Sequence, residues 1–277
     1  MKIGYMQGRL SPLVDGKIQA FPWNHWQSEF PAAQKLGIDA MEWTLDQEGL
    51  YKNPLMNEAG RKEIQSLCEK HKVSIPSLTG DCFMQAPYWK HDGESRRSLQ
   101  YDLKNIIQSC SNLGIKFIVV PLVDAGSIES AEQEEVLLNH LEEITPFLKA
   151  CNVQIVFESD LEPQPLKEFI AKLPEDSFGI NYDSGNSAAL GYNPTEEFSA
   201  YGDRVLNVHI KDRLLGDTTV ALGTGNTDFD AVFKGLASIN YKGNLILQTA
   251  RASDDNHDGV LDQYSKMVHG WVEQYGL

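Results

Sequence analysis

Four polar residues close four successive apolar runs of this chain: Glu158 in QIVFESD, Asp183 in FGINYDSGN, His209 in VLNVHIKD and Gln248 in LILQTAR. If those runs are neighbouring parallel strands, the four side chains converge on one point. Two carboxylates, an imidazole and an amide oxygen form a donor set for one divalent metal, with coordination positions left open for a substrate. Taken singly each residue has a plainer role. Glu158 could pair with a base, Asp183 could cap the turn through SGN, His209 could be a satisfied core histidine, and Gln248 could bond backbone. Their common placement favours a shared site.

Further candidates lie at other strand ends. Gln7 and Arg9 follow the first strand in YMQGRL, and Arg251 follows Gln248. A guanidinium fork suits a phosphate or carboxylate, so both arginines are candidate grips for an anionic ligand, against the alternative of surface salt bridges. Lys211, Asp212 and Arg213 form a charged step after His209 that could touch substrate. Glu42 and Asp81, ending the second and third strands, are candidates for binding sugar hydroxyls. The aromatics Phe21, Trp23, Trp26 and Trp43 either wall a pocket or simply pack.

The elements that must position these residues repeat as helix, short turn and apolar strand. The strands read as KIGYMQ, IDAMEWT, SIPSLTG, FIVVPLV, QIVFESD, FGINYD, VLNVHIK and LILQTA. Helical periodicity fills the gaps, in NEAGRKEIQSLCEKH, RRSLQYDLKNIIQSCSNLG, SAEQEEVLLNHLEEITPFLKA, PLKEFIAKL, PTEEFSAYG, FDAVFKGLASI and GVLDQYSKMVHGWVEQYG. KLGIDAME and SNLGIKFIV share a hinge in which glycine ends the helix, and KHKVSIPS and ACNVQIVF echo it. Alternation on this scale points to a single α/β domain over residues 1–277, a (β/α)8 TIM barrel. An open dinucleotide-binding sheet is disfavoured, since no GxGxxG follows the first strand. The glycine cluster Gly223 to Phe229 is a weak phosphate-loop candidate.

Composition narrows the partners. The formal net charge is -15 and no Lys/Arg cluster offsets it, which argues against nucleic acid. No apolar run approaches the roughly 18 residues of a membrane span, and MKIGYMQG begins as a strand without a secretory pattern, so a cytoplasmic protein is expected. Cys68, Cys82, Cys110 and Cys151 form no CxxC pair and read as buried free thiols.

The chain resembles the sugar phosphate isomerase/epimerase family with the xylose isomerase-like barrel, particularly its L-ribulose-5-phosphate 3-epimerase and ketose 3-epimerase types. The resemblance rests on Glu158, the D-x-G-N of Asp183 to Asn186, the V-H-I-K-D of Val208 to Asp212, the G-x-G-x-x-D-F of Gly223 to Phe229, and LILQTAR. It implies an ion, Mn2+ or Mg2+ foremost, with Zn2+ and Co2+ compatible, held by Glu158, Asp183, His209 and residue 248. Position 248 is normally a glutamate in that family, which forms an acid/base pair with the fifth-strand glutamate. Here it is Gln248, able to offer an oxygen but unable to take a proton. Asn186 stands where a histidine often lies beside the sugar hydroxyls.

These resemblances imply a metal-dependent isomerase or epimerase of a small sugar, sugar phosphate or sugar acid, acting through an enediolate with Glu158 as catalytic base. A single base moves a proton between neighbouring carbons on one face, whereas inversion at one carbon needs a second group opposite. Isomerisation therefore gains over epimerisation, unless Asp160, Lys211 or Asp212 supplies that group. The alternatives are a metal-dependent dehydratase of a polyol or sugar acid, and a sugar-binding barrel without turnover. A barrel endonuclease is disfavoured, since of seven histidines only His209 ends a strand. The expected partner is a small carbohydrate, anionic or neutral, with no nucleic acid or membrane, and a homo-oligomer is compatible with everything above.

Overall fold

Eight parallel strands close on themselves in chain order in the computed structural model, which describes residues Met1–Leu277. The strands are β1 (Ile3–Met6), β2 (Met41–Thr44), β3 (Ser77–Thr79), β4 (Phe117–Leu122), β5 (Gln154–Ser159), β6 (Phe178–Asp183), β7 (Val205–Ile210) and β8 (Asn244–Leu247). Closure comes from β1, whose Ile3, Gly4 and Tyr5 register with Leu245, Ile246 and Leu247 of β8. The expected (β/α)8 barrel is therefore the observed one.

Ten helices surround it: α1 (Glu29–Leu36), α2 (Glu58–His71), α3 (Asp81–Gln85), α4 (Gly93–Leu113), α5 (Ala131–Cys151), α6 (Pro163–Ala171), α7 (Ser184–Leu190), α8 (Pro194–Tyr201), α9 (Phe229–Ser238) and α10 (His257–Tyr275). Three of them, α1, α3 and α7, are not among the helical stretches read from periodicity. Each spans only five to eight residues, too short to display a clear amphipathic repeat. The hinge motif is a helix stop. Gly37 and Gly114 take φ of 73° and 74°, and Lys72 and Asn152 adopt the same left-handed turn at the echoing positions.

The apolar core lies between strands and helices, as one cluster that includes Phe30, Ile106, Leu141, Phe157, Phe169, Phe233 and Val268. Phe21, Trp26 and Trp43 belong to it, with ring centroids 5.4 Å (Phe21–Trp43) and 5.7 Å (Trp26–Trp43) apart, so these three pack in the core, while Trp23 is exposed and meets Phe21 edge-on. All four cysteines are free, but only Cys82 and Cys110 are buried; Cys68 and Cys151 are half-buried at the surface ends of α2 and α5. No helix is long and apolar enough to cross a membrane.

Inside the barrel the filling is partly polar. Asn207 on β7 donates to Asn181 Oδ1 on β6 (2.8 Å) and to Glu42 Oε2 on β2 (2.9 Å), and Ser77 Oγ on β3 donates to the same Glu42 oxygen (2.6 Å). This hydrogen-bonded layer replaces the branched apolar layer that usually fills such barrels. A register shift between Ile180 and Asn181 sets Asn181 opposite Asn207 and Asp183 opposite His209, so the polar residues of β6 and β7 meet in pairs.

Candidate active site

Glu158, Asp183 and His209 reach the same point at the carboxyl end of the barrel, the face where sites are built in this architecture. One ligand atom from each lies within 4.8 Å of the others. Glu158 is the penultimate residue of β5, Asp183 the last of β6 and His209 the penultimate of β7. Asp183 is also the N-cap of α7, accepting at Oδ1 from Gly185 N (2.9 Å) and Asn186 N (2.8 Å). Its Oδ2 is left to face the site.

His209 is wholly enclosed, and its two nitrogens have separate tasks. Nε2 lies 2.7 Å from Glu42 Oε1, while Nδ1 lies 3.0 Å from Glu158 Oε2 and 3.8 Å from Asp183 Oδ2. Burial works against an imidazolium, but Glu42 first and then the hydrogen bonds of Asp183 and Glu158 hold the His209 pKa well above the ordinary value. Burial likewise pushes Asp183 up, and Lys211 and His209 overcome it to hold that carboxyl down to about 2. Burial pushes Glu42 up most, but the His209 charge together with hydrogen bonds from His209, Ser77 and Asn207 brings it below its ordinary value.

The donor set fits a divalent ion. Nε2 is committed to a carboxylate behind it, which orients the ring and leaves Nδ1 aimed at two carboxylate oxygens; this is the usual outer support of a metal-bound histidine. Glu158 is held by two amides, Asn186 Nδ2 on Oε1 at 2.6 Å and Asn181 Nδ2 on Oε2 at 3.0 Å. Oε2 also faces His209 Nδ1 at 3.0 Å, so both oxygens are oriented by their neighbours.

Gln248, just past β8, joins the site from the strand next to β7. Its Nε2 donates to Gln19 Oε1 (3.0 Å) and its Oε1 accepts from Lys211 Nζ (3.3 Å). Gln19 in turn donates to Asp81 Oδ2 (2.8 Å) and accepts from Arg9 Nη2 (3.3 Å). Because a guanidinium only donates, Gln19 must present its oxygen to Arg9 and to Gln248, and Gln248 must present its oxygen to the site. Lys211 Nζ also reaches Asn186 Oδ1 (3.1 Å), and Arg213 Nη1 donates to the same oxygen (2.9 Å). Lys211, Arg213 and Asn186 therefore stand together at the mouth, as candidates for substrate contact.

Several expectations are corrected. Arg9 is buried and donates to Thr249 O (2.8 Å) and Ile18 O (3.1 Å), and Arg251 donates to the carbonyls of Gly8 and Ser11, so both guanidinium groups brace the β1–β8 seam rather than face an anion. Glu42 is sealed behind His209, with no surface exposed to a sugar hydroxyl. Gln7 is equally enclosed and accepts from Thr44 N (3.1 Å). Asp212 accepts from Gly223 N, Gly225 N and Thr227 N at 2.9, 2.8 and 3.1 Å. Those amides are the ones a phosphate would need, so the glycine cluster is a loop latched by its own aspartate. Asp160 is bonded to Ser127 Oγ away from the cluster. Asp81 points at Gln19, and burial pushes its pKa up to about 7.

Asn181, Asn207 and Gln19 belong to the site and were not singled out from the sequence. For the asparagines a signal exists: each lies two residues before a site residue, Asp183 or His209, and so on the same face of its strand. Gln19 lies on a loop and carries no such signal.

Comparison with known proteins agrees with this fold. The family described as xylose isomerase-like TIM barrel matches residues 30–267. A provisionally named L-ribulose-5-phosphate 3-epimerase of Haemophilus influenzae is 22% identical, over 91% of this chain and 93% of that one. Among solved structures, the IOLI protein with a bound zinc atom superposes with a TM-score of 0.77 at 19% identity, over 99% of each chain. The D-psicose 3-epimerase of Clostridium cellulolyticum H10, solved with D-tagatose, gives 0.73 at 14% identity over 99% of each chain.

Proposed function

Because the chain belongs to the xylose isomerase-like TIM barrel family, we propose that it is an isomerase or epimerase of a small carbohydrate that works at the Glu158, Asp183 and His209 cluster with a divalent metal. The observation that carries this reading is the convergence of those three donors, within 4.8 Å, at the carboxyl end of the barrel. Held by Glu158, Asp183, His209 and the Gln248 oxygen, Mn2+ or Mg2+, or Zn2+ as in the IOLI structure, would supply a Lewis acid for a substrate carbonyl and its neighbouring oxygen.

Glu158 is the base. Its two oxygens are oriented by the Asn181 and Asn186 amides. Removal of the proton next to the carbonyl leaves an enediolate in the substrate. The same carboxylic acid then returns the proton to the neighbouring carbon while the hydroxyl proton passes from one oxygen of the enediolate pair to the other, which completes an aldose–ketose isomerisation with no net change in protons. Gln248 cannot serve as a second base, Asp160 and Asp212 are engaged elsewhere, and Lys211 Nζ is held on the oxygens of Asp183, Asn186 and Gln248, so one-face transfer is the reading the site supports best. Asn186, Lys211 and Arg213 bind the substrate hydroxyls or an anionic end.

The test is solvent exchange. D-tagatose, D-fructose and L-ribulose 5-phosphate are incubated with protein and Mn2+ in D2O and followed by mass spectrometry. One deuterium enters the recovered or converted sugar with the wild type and none with Glu158→Gln. Absence of label from all three with metal-loaded protein would sink the catalytic reading in favour of a sugar-binding barrel.

A further inference from the structure

Lys211 contacts both atoms that β6 and β8 can offer to a metal. Asp183 has one oxygen tied to the first turn of α7, so Oδ2 is its free donor, and that atom lies 3.4 Å from Lys211 Nζ. Gln248 has one possible ligand atom, Oε1, because Nε2 is pinned on Gln19; Oε1 lies 3.3 Å from the same ammonium. Asn186 Oδ1 at 3.1 Å completes three oxygens around one cation.

The position of Lys211 is built in. Its backbone N–H donates to Ser184 Oγ (3.0 Å), its carbonyl accepts from the same hydroxyl (2.8 Å), and its stem lies across Gly185. A Cβ at residue 185 would come within 2.6 Å of Lys211 Cγ, so the glycine leaves room for the lysine stem. The side chain is only 14% exposed, which limits how far water can screen its charge. An ammonium and a divalent ion sharing the same two oxygens repel each other strongly in such surroundings.

We propose that Lys211 is a resident cation of this site, competing with the divalent metal for Asp183 Oδ2 and Gln248 Oε1 and thereby setting how tightly the metal is held. This rests on the metal-binding reading above. Gln248 is part of the same device, since an amide oxygen gives a dication less to compensate for the lysine than a carboxylate would. When metal is bound, Lys211 gives up these contacts and its Nζ is free to turn toward a substrate oxygen.

The experiment is calorimetric titration of metal-stripped protein with Mn2+ alone, in wild type, Lys211→Met, Lys211→Arg and Asp183→Ala, with thermal melts to show that each is folded. Lys211→Met should bind Mn2+ at least about tenfold more tightly than wild type, equivalent to about 1.4 kcal/mol. Lys211→Arg keeps the charge and should stay within about threefold of wild type. Asp183→Ala should bind none. Equal or weaker affinity in Lys211→Met overturns the competition, as does equal tightening in Met and Arg, which would make the effect one of packing. Failure of both wild type and Lys211→Met to bind Mn2+ overturns the metal site itself, and this proposal with it.

Discussion

Glu42 Oε1 and His209 Nε2 meet at 2.7 Å with both side chains fully enclosed, joining β2 to β7 through the inside of the barrel. Glu42 thus decides which ring nitrogen faces the site. Glu42→Gln keeps the size but removes the charge that supports the ring, and Mn2+ affinity should fall about 10- to 100-fold. Titration of the folded variant measures this; unchanged affinity would reduce Glu42 to a filler of the barrel.

Gln248→Glu should act in two directions. The added charge strengthens metal binding and supplies the missing second base, so 3-epimerisation of a ketose should appear or rise. The new carboxylate also faces Gln19 Oε1, which Arg9 prevents from turning over, and stability should drop by about 1 to 3 kcal/mol for the lost buried hydrogen bond. Chemical denaturation and a ketose epimerisation assay read the two effects separately. An unchanged denaturation midpoint would show that Gln19 reorients freely.

Asp81 gives the fold a pH dependence of known sign. Burial, its main perturber, raises the carboxyl to about 7 in the folded protein, far above its unfolded value, so the folded state binds this proton more tightly. The contribution is fully present below the unfolded pKa, near 4, and is lost as pH rises toward 7. Asp81→Asn should flatten the fall of stability between about pH 4 and 7 by up to about 1.4 kcal/mol per unit, one proton's worth. Glu29, also raised to about 7 by burial, keeps a residual slope of the same sign. Denaturant melts across that range test it, and identical slopes in variant and wild type would contradict the assignment.

Arg9→Met should cost on the order of 2 to 4 kcal/mol of stability, because the Thr249 and Ile18 carbonyls lose a buried charged donor. It should leave the ratio of affinities for a phosphorylated and a neutral sugar unchanged. A selective loss of the phosphorylated ligand would restore Arg9 as an anion grip.

Asp212→Ala should release the loop from Gly223 to Thr227. Three backbone N–H groups lose their common acceptor, and their hydrogen-exchange protection should collapse while strand amides such as Val208 stay protected. Retained protection at Gly225 would mean the loop is held by something other than Asp212.

The amino-acid sequence alone determined the barrel and the placement of Glu158, Asp183 and His209 at strand ends. Those features are written in local periodicity, which needs no knowledge of distant residues. The partners of the long polar side chains are not written there. Glu42 and His209 are separated by 167 positions, Gln19 and Gln248 by 229, Arg9 and the Thr249 carbonyl by 240. Only closure of β8 onto β1 brings the last two pairs together, and it turned Arg9 and Arg251 from candidate ligand grips into braces. Tertiary structure also decided that Lys211, and not Asp212, enters the site, because the Asp212 carboxylate found three amides on its own loop first. A strand pattern can place a side chain on a face. Which donor satisfies it depends on hydrogen-bond geometry of a few tenths of an ångström between segments that meet only in the folded chain.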